Sequence, residues 1–420
     1  MPPLPPDRPL AVNTRREFLQ WSTGPASAML LAACGGGSSA PGVETPTPLV
    51  VSPTDPVLTP PALTGALLAW LTALPLWQWH ELPNTALSSV DPAVRPLGAT
   101  GPSSKIDAWC GAALRRRDSI YMLGAAGGHA DYAGNEVDAL RLNTATPQWV
   151  ELRGPSSNSD VINTAQFYLD KRPAATHTYY ASQFIDSLDR MMVFASGGLN
   201  GSFPTAPADF PYIGDTRSFS FNLALGDWDA PDYVAPFPGG GDRLACLCAK
   251  HPWTDDVYYS RSYGTGWYRW TSISNTWIRL SDAARAPWYA GAAIDPVRGR
   301  MLLVGGYSPL PAEVRNLDGT LVPITFTGLG ASALEISGYP NVSYDEANGR
   351  YVVMFNAGGV IKVLRVHPQT WWVDEPAMTG SVPTARANGL HNAVQYVPEL
   401  RGLVVANRHN GNVLFVRTAL

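Results

Sequence analysis

The sequence has little lysine and no block of basic residues, although its total charge is nearly balanced. The 30 lysine and arginine residues stand against 34 aspartate and glutamate residues, and the only lysines are Lys105, Lys171, Lys250 and Lys362. A protein that binds nucleic acid needs clustered cations to neutralise phosphates. The dispersed basic residues and the net charge of -4 therefore argue against a nucleic-acid partner.

The sequence is also poor in cysteine. Beyond Cys34 only Cys110, Cys246 and Cys248 remain, so at least one thiol stays unpaired. Cys246 and Cys248 lie two apart on a predicted strand, with Cα atoms about 6.5 Å apart on one face, which is near the upper limit for a disulfide. We interpret all three as small buried apolar side chains. A disulfide between Cys110 and one of the pair is the alternative.

Helical periodicity is nearly absent. One exception is "TGALLAWLTAL", Thr64 to Leu74, which predicts a short helix. The rest of the chain beyond it consists of short apolar or alternating runs separated by turns, with 39 glycines and 38 prolines marking the breaks. This pattern predicts an all-β domain.

The first 34 residues have the features of an export signal in the expected order. "TRREFLQ", Thr14 to Gln20, carries two adjacent arginines before Phe18 and Leu19, and a modest apolar run ends in "LAAC" at Cys34. That run is shorter than the roughly 20 apolar residues that span a bilayer. The segment resembles a twin-arginine signal peptide with a bacterial lipobox. The resemblance implies export by the twin-arginine route and lipidation of Cys34, which would anchor the chain to a bacterial membrane in the periplasm or at the cell surface.

A linker and one domain follow the predicted signal. Residues 35–68 form the linker, which is rich in Gly, Ser, Pro and Thr, is nearly free of charge and cannot bury a core. Residues 69–420 form the domain, and it contains an internal repeat. Each unit has a strand, a polar turn, a second apolar strand that ends in small residues, a third strand and, in most units, a fourth that carries tryptophan. Clear examples of the first two strands are "AAIDPVRGRMLLVGG" (292–306), "VSYDEANGRYVVMFNAGG" (342–359) and "SQFIDSLDRMMVFASGG" (182–198).

This four-strand unit resembles the kelch repeat of β-propellers, including the central domain of galactose oxidase and the propellers of polysaccharide lyases. The resemblance implies an all-β, kelch-like β-propeller in which neighbouring units bury each other's faces. We expect six blades; seven stay open because residues 156–175 and 308–340 are irregular. The last unit ends without a tryptophan strand, whereas "LWQWHELPN", Leu76 to Asn84, has that pattern before the first unit. We therefore expect this N-terminal strand to close the last blade.

Candidate site residues follow from the loops that share one face of the predicted propeller. The loop before each innermost strand and the loop after each second strand lie on the same face, and four of the seven histidines fall near the axis there. A concave cluster of His, Tyr, Arg and Asp suits a binding or catalytic site. The candidate catalytic residues are His129, His177, Tyr179, Arg261, Tyr263 and Arg408. The candidate binding residues are Asp131, Tyr132, Asn200, Tyr307, His391 and His409.

Two functions from different classes stay open. In the first, the propeller binds and cleaves an extracellular acidic polysaccharide. Elimination at a uronic acid would use Arg261 or Arg408 to neutralise the carboxylate, and His129, His177, Tyr179 or Tyr263 as base and acid. In the second, the same face holds a sugar or a protein loop without turning it over, as a non-catalytic recognition or assembly lipoprotein.

The metal content stays unknown, and the polysaccharide interpretation requires no cofactor. The resemblance to galactose oxidase implies a third function, a copper radical oxidase, which needs a tyrosine cross-linked to cysteine and two histidines. Cys110 opens an innermost strand, but the sequence lacks the adjacent Tyr-His pair expected for that chemistry. A different divalent ion at His129, Asp131 and His177 is a further alternative, because imidazole and carboxylate suit several metals.

Overall fold

The structure is a computed structural model that describes residues 68–128, 131–162, 166–194, 218–238, 245–260 and 265–420. All of these residues belong to one compact unit, residues 55–420. The predicted export signal with Cys34, and the linker up to residue 67, lie outside the described residues. No helix in the described ranges is long and apolar enough to cross a bilayer.

The described residues contain short strands and very little helix. The helices are α1 (Ala69–Thr72) and α2 (Ser104–Asp107), so the predicted helix near the start of the domain is present but short. The first thirteen strands are β1 (Trp79–Glu81), β2 (Ala113–Arg115), β3 (Ile120–Gly124), β4 (Val137–Arg141), β5 (Trp149–Arg153), β6 (Ser182–Ile185), β7 (Arg190–Val193), β8 (Phe219–Asn222), β9 (Asp227–Trp228), β10 (Leu247–Lys250), β11 (Val257–Ser260), β12 (Thr265–Thr271) and β13 (Thr276–Ala284). The others are β14 (Gly291–Asp295), β15 (Arg300–Val304), β16 (Gly306–Leu310), β17 (Glu313–Asn316), β18 (Ile336–Gly338), β19 (Asn341–Asp345), β20 (Arg350–Ala357), β21 (Val360–Val366), β22 (Val373–Asp374), β23 (Val394–Val397), β24 (Gly402–Val405) and β25 (Leu414–Arg417).

Six small antiparallel sheets form the six blades of a β-propeller, as the repeat predicts. In chain order the blades are β2–β5, β6–β9, β10–β13, β14–β15–β17, β19–β22 and β23–β25 with β1. Each blade begins at an innermost strand and continues outwards through antiparallel neighbours. The strands alternate in direction, so the loops that lead into the innermost strands meet at one face near the axis. We call this the axial face.

The N-terminal strand closes the last blade, and this prediction is confirmed. β1 pairs antiparallel with β25, so that Trp79 lies opposite Val416. Trp79 is buried in the cluster between the fifth and sixth blades, where it packs with apolar side chains of both. The first and last described parts of the domain are thus joined in one sheet.

Residues 308–340, where the repeat pattern is irregular, form an insertion in the fourth blade and not a seventh blade. β16 and β18 pair with each other in a separate two-stranded sheet, while β17 takes the third position of the blade beside β15. This hairpin-like insertion carries Tyr307 out from the end of β15 at the axial face.

The hydrophobic core is divided among the interfaces between blades. Each of the six interfaces has its own cluster of buried side chains contributed by both neighbours. Trp149 of the first blade is buried and donates its indole N–H to the Thr85 carbonyl at 2.9 Å. Trp149 therefore serves blade packing, because its buried ring has its one donor satisfied by the backbone.

Candidate functional site

Four aromatic rings close the axis of the propeller at the axial face. The ring centroid of Tyr179 lies 5.7 Å from that of Tyr289 and 5.4 Å from that of His391. Tyr339 completes the circuit, at 4.7 Å from Tyr289 and 5.1 Å from His391. Since these residues come from four different blades, their contacts place them on the axis. We call them the aromatic quartet.

The quartet results from equivalent positions in the repeat. Tyr179, Tyr289, Tyr339 and His391 each lie two or three residues before an innermost strand, which begins at Ser182, Gly291, Asn341 or Val394. Three of the four have left-handed backbones, with φ of 44° at Tyr179, 66° at Tyr289 and 47° at His391. This conformation is unfavourable for bulky side chains and persists only where the surroundings enforce it.

Hydrogen bonds between neighbouring loops enforce that backbone. The N–H of Tyr179 donates to the Trp109 carbonyl at 2.9 Å, and the N–H of His391 donates to the Tyr339 carbonyl at 3.1 Å. The loops approach so closely that a Cβ added at Gly111 would lie 2.2 Å from the carbonyl oxygen of Tyr179. Only glycine fits at this position, which makes the geometry of the quartet rigid.

His391 is fully buried and held neutral. Its Nε2 atom lies 2.8 Å from the carbonyl oxygen of Asn388, so Nε2 carries the proton and donates it. Burial holds the pKa of His391 well below its usual value, and the nearby positive charge of Arg386 lowers it further. His391 was expected to contact a ligand, but its complete burial makes it part of the wall behind the site.

Asp131, His177 and Tyr179 form a line of polar side chains at the edge of the quartet. The Nδ1 atom of His177 lies 3.2 Å from the hydroxyl of Tyr179, and its Nε2 atom lies 3.5 Å from a carboxylate oxygen of Asp131. The other carboxylate oxygen accepts a hydrogen bond from the Thr100 hydroxyl at 3.0 Å. Because a carboxylate only accepts, the Asp131 contact favours the tautomer with the imidazole proton on Nε2, in which Nδ1 accepts from the Tyr179 hydroxyl.

The environment of His177 also favours its neutral form. The side chain is buried against the Trp109 ring, with centroids 4.9 Å apart. Burial lowers the pKa of His177, and the hydrogen bond with Asp131 opposes that shift without cancelling it. A neutral imidazole between a carboxylate and a phenol can accept the phenol's proton, which is the arrangement that general acid–base catalysis requires.

Exposed aromatic rings extend the quartet towards solvent. Trp288 stacks on Tyr307 with centroids 5.8 Å apart and an interplanar angle of 25°, and Tyr289 contacts both. Tyr307 is 60% exposed, so one face of its ring is open. We call the surface formed by the quartet, Trp109, Asp131, His177, Trp288 and Tyr307 the aromatic mouth.

The remaining predicted residues lie elsewhere or outside the described ranges. Tyr132 is buried and donates its hydroxyl to the Glu136 carboxylate at 2.6 Å, so its ring is part of the interior and not of a ligand surface. Arg408 and His409 line a separate cleft beside the sixth blade, where His409 pairs with Asp91 at 2.8 Å. Five predicted residues are not among the described residues, namely Cys34, His129, Asn200, Arg261 and Tyr263.

The described cysteines and metal-ligating side chains give little support for cysteine or metal chemistry. Cys110, Cys246 and Cys248 are buried, and none of them forms a disulfide with a described residue. Burial raises the pKa of the Cys110 thiol to about 11, and its sulfur lies 3.2 Å from the Ala108 carbonyl oxygen. These features fit an inert buried thiol. In the described ranges no three His, Cys, Asp or Glu side chains gather closely enough to hold a metal ion, and His129, which the predicted divalent site needs, lies outside them.

Sequence reasoning missed four aromatic residues of the mouth, which are Trp109, Trp288, Tyr289 and Tyr339. Their signal is positional, because an aligned repeat places an aromatic residue just before the innermost strand in most blades. Trp109 occupies the corresponding position four residues before β2, also with a left-handed backbone, at φ 54°.

Comparisons with known proteins add little to this geometry. No family model matches the sequence, and no curated protein matches it. One similar solved structure is a structural genomics protein of unknown function from Bacteroides thetaiotaomicron VPI-5482, with a TM-score of 0.46 and 11% identity over 80% of this chain and 75% of that chain. Another is an auxiliary nutrient binding protein from the same organism, with a TM-score of 0.44 and 10% identity over the same shares. The fold assignment rests on the order of this chain's own sheets.

Proposed function

We propose that this chain is a kelch-type propeller that is exported, anchored through a lipid at Cys34, and binds an extracellular polysaccharide at its aromatic mouth. The observation that carries the proposal is the stack of half-buried Trp288 on exposed Tyr307 beside the closed quartet. Sugar rings present apolar C–H faces and hydroxyl edges. Aromatic rings can stack on the C–H faces, and the polar groups of Tyr and Trp can hydrogen-bond to the hydroxyls.

The rigidity of the mouth supports binding of a large ligand. Tyr180, next to Tyr179, shares its one hydroxyl proton between the carbonyl oxygens of Tyr289 and Pro340, each at 3.0 Å, and so links three blades. A preformed surface loses little conformational entropy when a ligand binds. The ring faces are therefore held in place before the polymer arrives.

A second candidate function, cleavage by β-elimination, is favoured by the line of Asp131, His177 and Tyr179. In that reaction a base removes the C5 proton of a uronic acid, the electron pair forms the C4–C5 double bond, and the glycosidic oxygen leaves with a proton from an acid. Tyr179 with neutral His177 behind it supplies a base of this kind, and Asp131 stabilises the imidazolium that forms. The carboxylate-neutralising cation is assigned to Arg261, outside the described residues.

One experiment tests both candidates. The purified folded protein is incubated with a panel of neutral and acidic polysaccharides, while binding is followed by affinity electrophoresis and unsaturated uronate by ultraviolet absorption. Binding without product supports recognition alone, whereas product from an acidic polymer supports elimination. Absence of both across the panel would overturn the proposal and favour a protein partner at this face.

Export and anchoring have a separate test. Expression of the whole chain in a bacterium with a twin-arginine pathway should give a membrane-associated protein that detergent releases. Substitution of Cys34 by Ser, or of the arginines at 15 and 16 by Lys, should abolish that association. A Cys34→Ser protein that still partitions with the membrane would contradict the anchor.

A further inference from the structure

A cleft separate from the aromatic mouth lies between the first and sixth blades. Its volume is about 480 Å³, within the range of small-ligand sites. Three parts of the chain meet here: α2, the loop before β23 and the loop between β24 and β25. The lining residues used below are Asp107, Arg386, Asn407, Arg408 and His409.

Arg386 is a buried cation at the wall of this cleft. Its side chain is 5% exposed, and its terminal nitrogens donate to backbone carbonyls, including those of Ile106 at 2.6 Å and Leu390 at 2.8 Å. Its Nε atom is buried and has no hydrogen-bond partner among the described residues. In the same ranges no carboxylate lies within 4 Å of it. Its direct hydrogen-bond partners are neutral, and the Asp107 carboxylate acts on it only from beyond 4 Å. A buried charge without a direct counter-ion is unfavourable, and a bound anion would offset that cost.

Arg408 adds a second cation. It is exposed and forms no ion pair with any described carboxylate. It also lines a neighbouring cavity of about 330 Å³, so its side chain borders two recesses. The acidic residue in the lining, Asp107, is exposed and belongs to no ion pair in the described ranges, whereas the Asp91 carboxylate is occupied by His409. The two arginines therefore outweigh the acid, and the cleft favours an anion.

A buried acceptor narrows the class of anion. Asn407 is 3% exposed, and its amide nitrogen donates to the Thr384 carbonyl at 2.8 Å, which fixes Oδ1 as the free end. That Oδ1 is buried and has no donor among the described residues. A buried acceptor needs a donor. A simple carboxylate supplies none, and the one or two P–OH donors of inorganic phosphate lie on the anion itself, whereas a sugar acid carries hydroxyl donors at carbons separate from its carboxylate.

We propose that this cleft is a second ligand site, which binds a hydroxylated carboxylate, a hexuronate unit, with its carboxylate on Arg386 and Arg408 and a hydroxyl on Asn407 Oδ1. The site does not depend on the aromatic mouth, because none of the lining residues belongs to it. It would hold one acidic sugar of a polymer or a free uronic acid.

Titration calorimetry with the folded protein tests the site, using glucuronate and galacturonate as probes. Glucose has the hydroxyls without the carboxylate, acetate has the carboxylate without the hydroxyls, and inorganic phosphate is an anion without a sugar ring. We expect a uronate to bind at least about tenfold more tightly than each of the other three, since a hydrogen bond to a charged group is worth about that much. Equal binding of phosphate would overturn the hydroxylated class, and equal binding of glucose would overturn the anion site.

Variants locate the binding. Arg408→Gln should weaken uronate binding at least about tenfold, and Asp107→Asn should strengthen it severalfold by removing a negative charge. Both side chains are exposed, so both variants should fold. Arg401→Gln, on the same blade but at the turn between β23 and β24, is the matched control and should change nothing. Tyr307→Ala, which alters the aromatic mouth, should leave uronate binding at the cleft unchanged. Loss of uronate binding in Tyr307→Ala, or unchanged uronate binding in Arg408→Gln, would overturn the cleft as a separate site.

Discussion

The Nδ1 atom of His177 lies 3.2 Å from the hydroxyl of Tyr179, two residues later in the chain. Both side chains lie on the same side of the loop that leads into β6, with Asp131 of the first blade at the far side of the imidazole. Neighbouring blades thus assemble a carboxylate, an imidazole and a phenol in sequence, beside rings that close the axis.

This relationship predicts the effect of removing one oxygen. Tyr179→Phe keeps the ring contacts of the quartet but removes the hydroxyl, so we expect polysaccharide binding to change less than threefold. If the chain cleaves acidic polymers, product formation should fall at least about 100-fold, because a positioned acid or base contributes that much. Affinity electrophoresis and ultraviolet absorption measure the two quantities. Undiminished cleavage by Tyr179→Phe would remove this residue from the chemistry.

The close approach of two loops at Gly111 predicts a loss of stability. Gly111→Ala would place a Cβ 2.2 Å from the Tyr179 carbonyl oxygen and 2.9 Å from the Cβ of Asn392. We expect the free energy of unfolding to fall by about 1–3 kcal/mol, as in other overpacked sites. Urea denaturation measures it. Gly154→Ala is the control, because its new Cβ meets first a flexible Glu151 carboxylate at 3.2 Å, and its effect should stay within about 0.5 kcal/mol.

Closure of the last blade by β1 predicts that substitution of Trp79 lowers the free energy of unfolding strongly. Trp79→Ala removes a buried ring from the interface of the fifth and sixth blades, so unfolding should become easier by about 3–5 kcal/mol. Trp372 is 49% exposed, and Trp372→Ala should cost less than about 1 kcal/mol. Equal thermal midpoints for the two variants would show that the ring is not held at this interface.

His251 predicts part of the pH dependence of stability. Burial lowers its pKa from 6.5 to about 4, and the charge of Arg116 lowers it in the same direction. Between these values the unfolded chain binds a proton that the folded chain does not. The stabilising contribution is therefore complete above pH 6.5 and is lost as the pH falls towards 4, a total of about 3 kcal/mol.

The measurement compares His251→Asn with the parent chain. Asparagine retains an acceptor for the N–H groups of Trp253 and Thr254, which His251 Nδ1 accepts at 3.2 and 3.3 Å. Between pH 7.5 and pH 4.5 we expect the variant to lose about 2–3 kcal/mol less stability than the parent. His367→Asn is the control, because His367 accepts the same two kinds of amide hydrogen bond while burial lowers its pKa less than that of His251, so this variant should stay close to the parent curve. Parallel curves for His251→Asn and the parent would contradict the buried neutral state.

The fold was predictable because its signals are periodic. Strand pairs that repeat along the chain, each ending in small residues, predict blades, and the surplus strand around Trp79 predicts how the last one closes. The insertion between Gly306 and Gly338 was not predictable in form, since its two strands pair with each other over few contacts and lack the alternation of the blade strands.

The site was predictable only in part. His177, Tyr179 and Asp131 were found because polar residues at the ends of inner strands face one side of a propeller. The degree of burial of each residue was not predictable, because neighbouring blades set it: Tyr132 and His391 have 0% exposure, whereas His177 and Tyr179 keep 3% and 4% at the edge of the quartet. The separation of Arg408 from His177 depends on how the loop around Arg386 packs, which no spacing in the sequence encodes.

The most direct test of the central claim is calorimetric titration of the best-binding polysaccharide into the parent protein and into Tyr307→Ala. Tyr307 is 60% exposed, so its removal should leave the fold intact, whereas loss of the stacked ring beside Trp288 should weaken binding at least about tenfold. Trp372→Ala, which removes an exposed aromatic ring in the fifth blade away from the mouth, should bind like the parent. Unchanged affinity in Tyr307→Ala, or an equal loss in both variants, would contradict the aromatic mouth as the polysaccharide site.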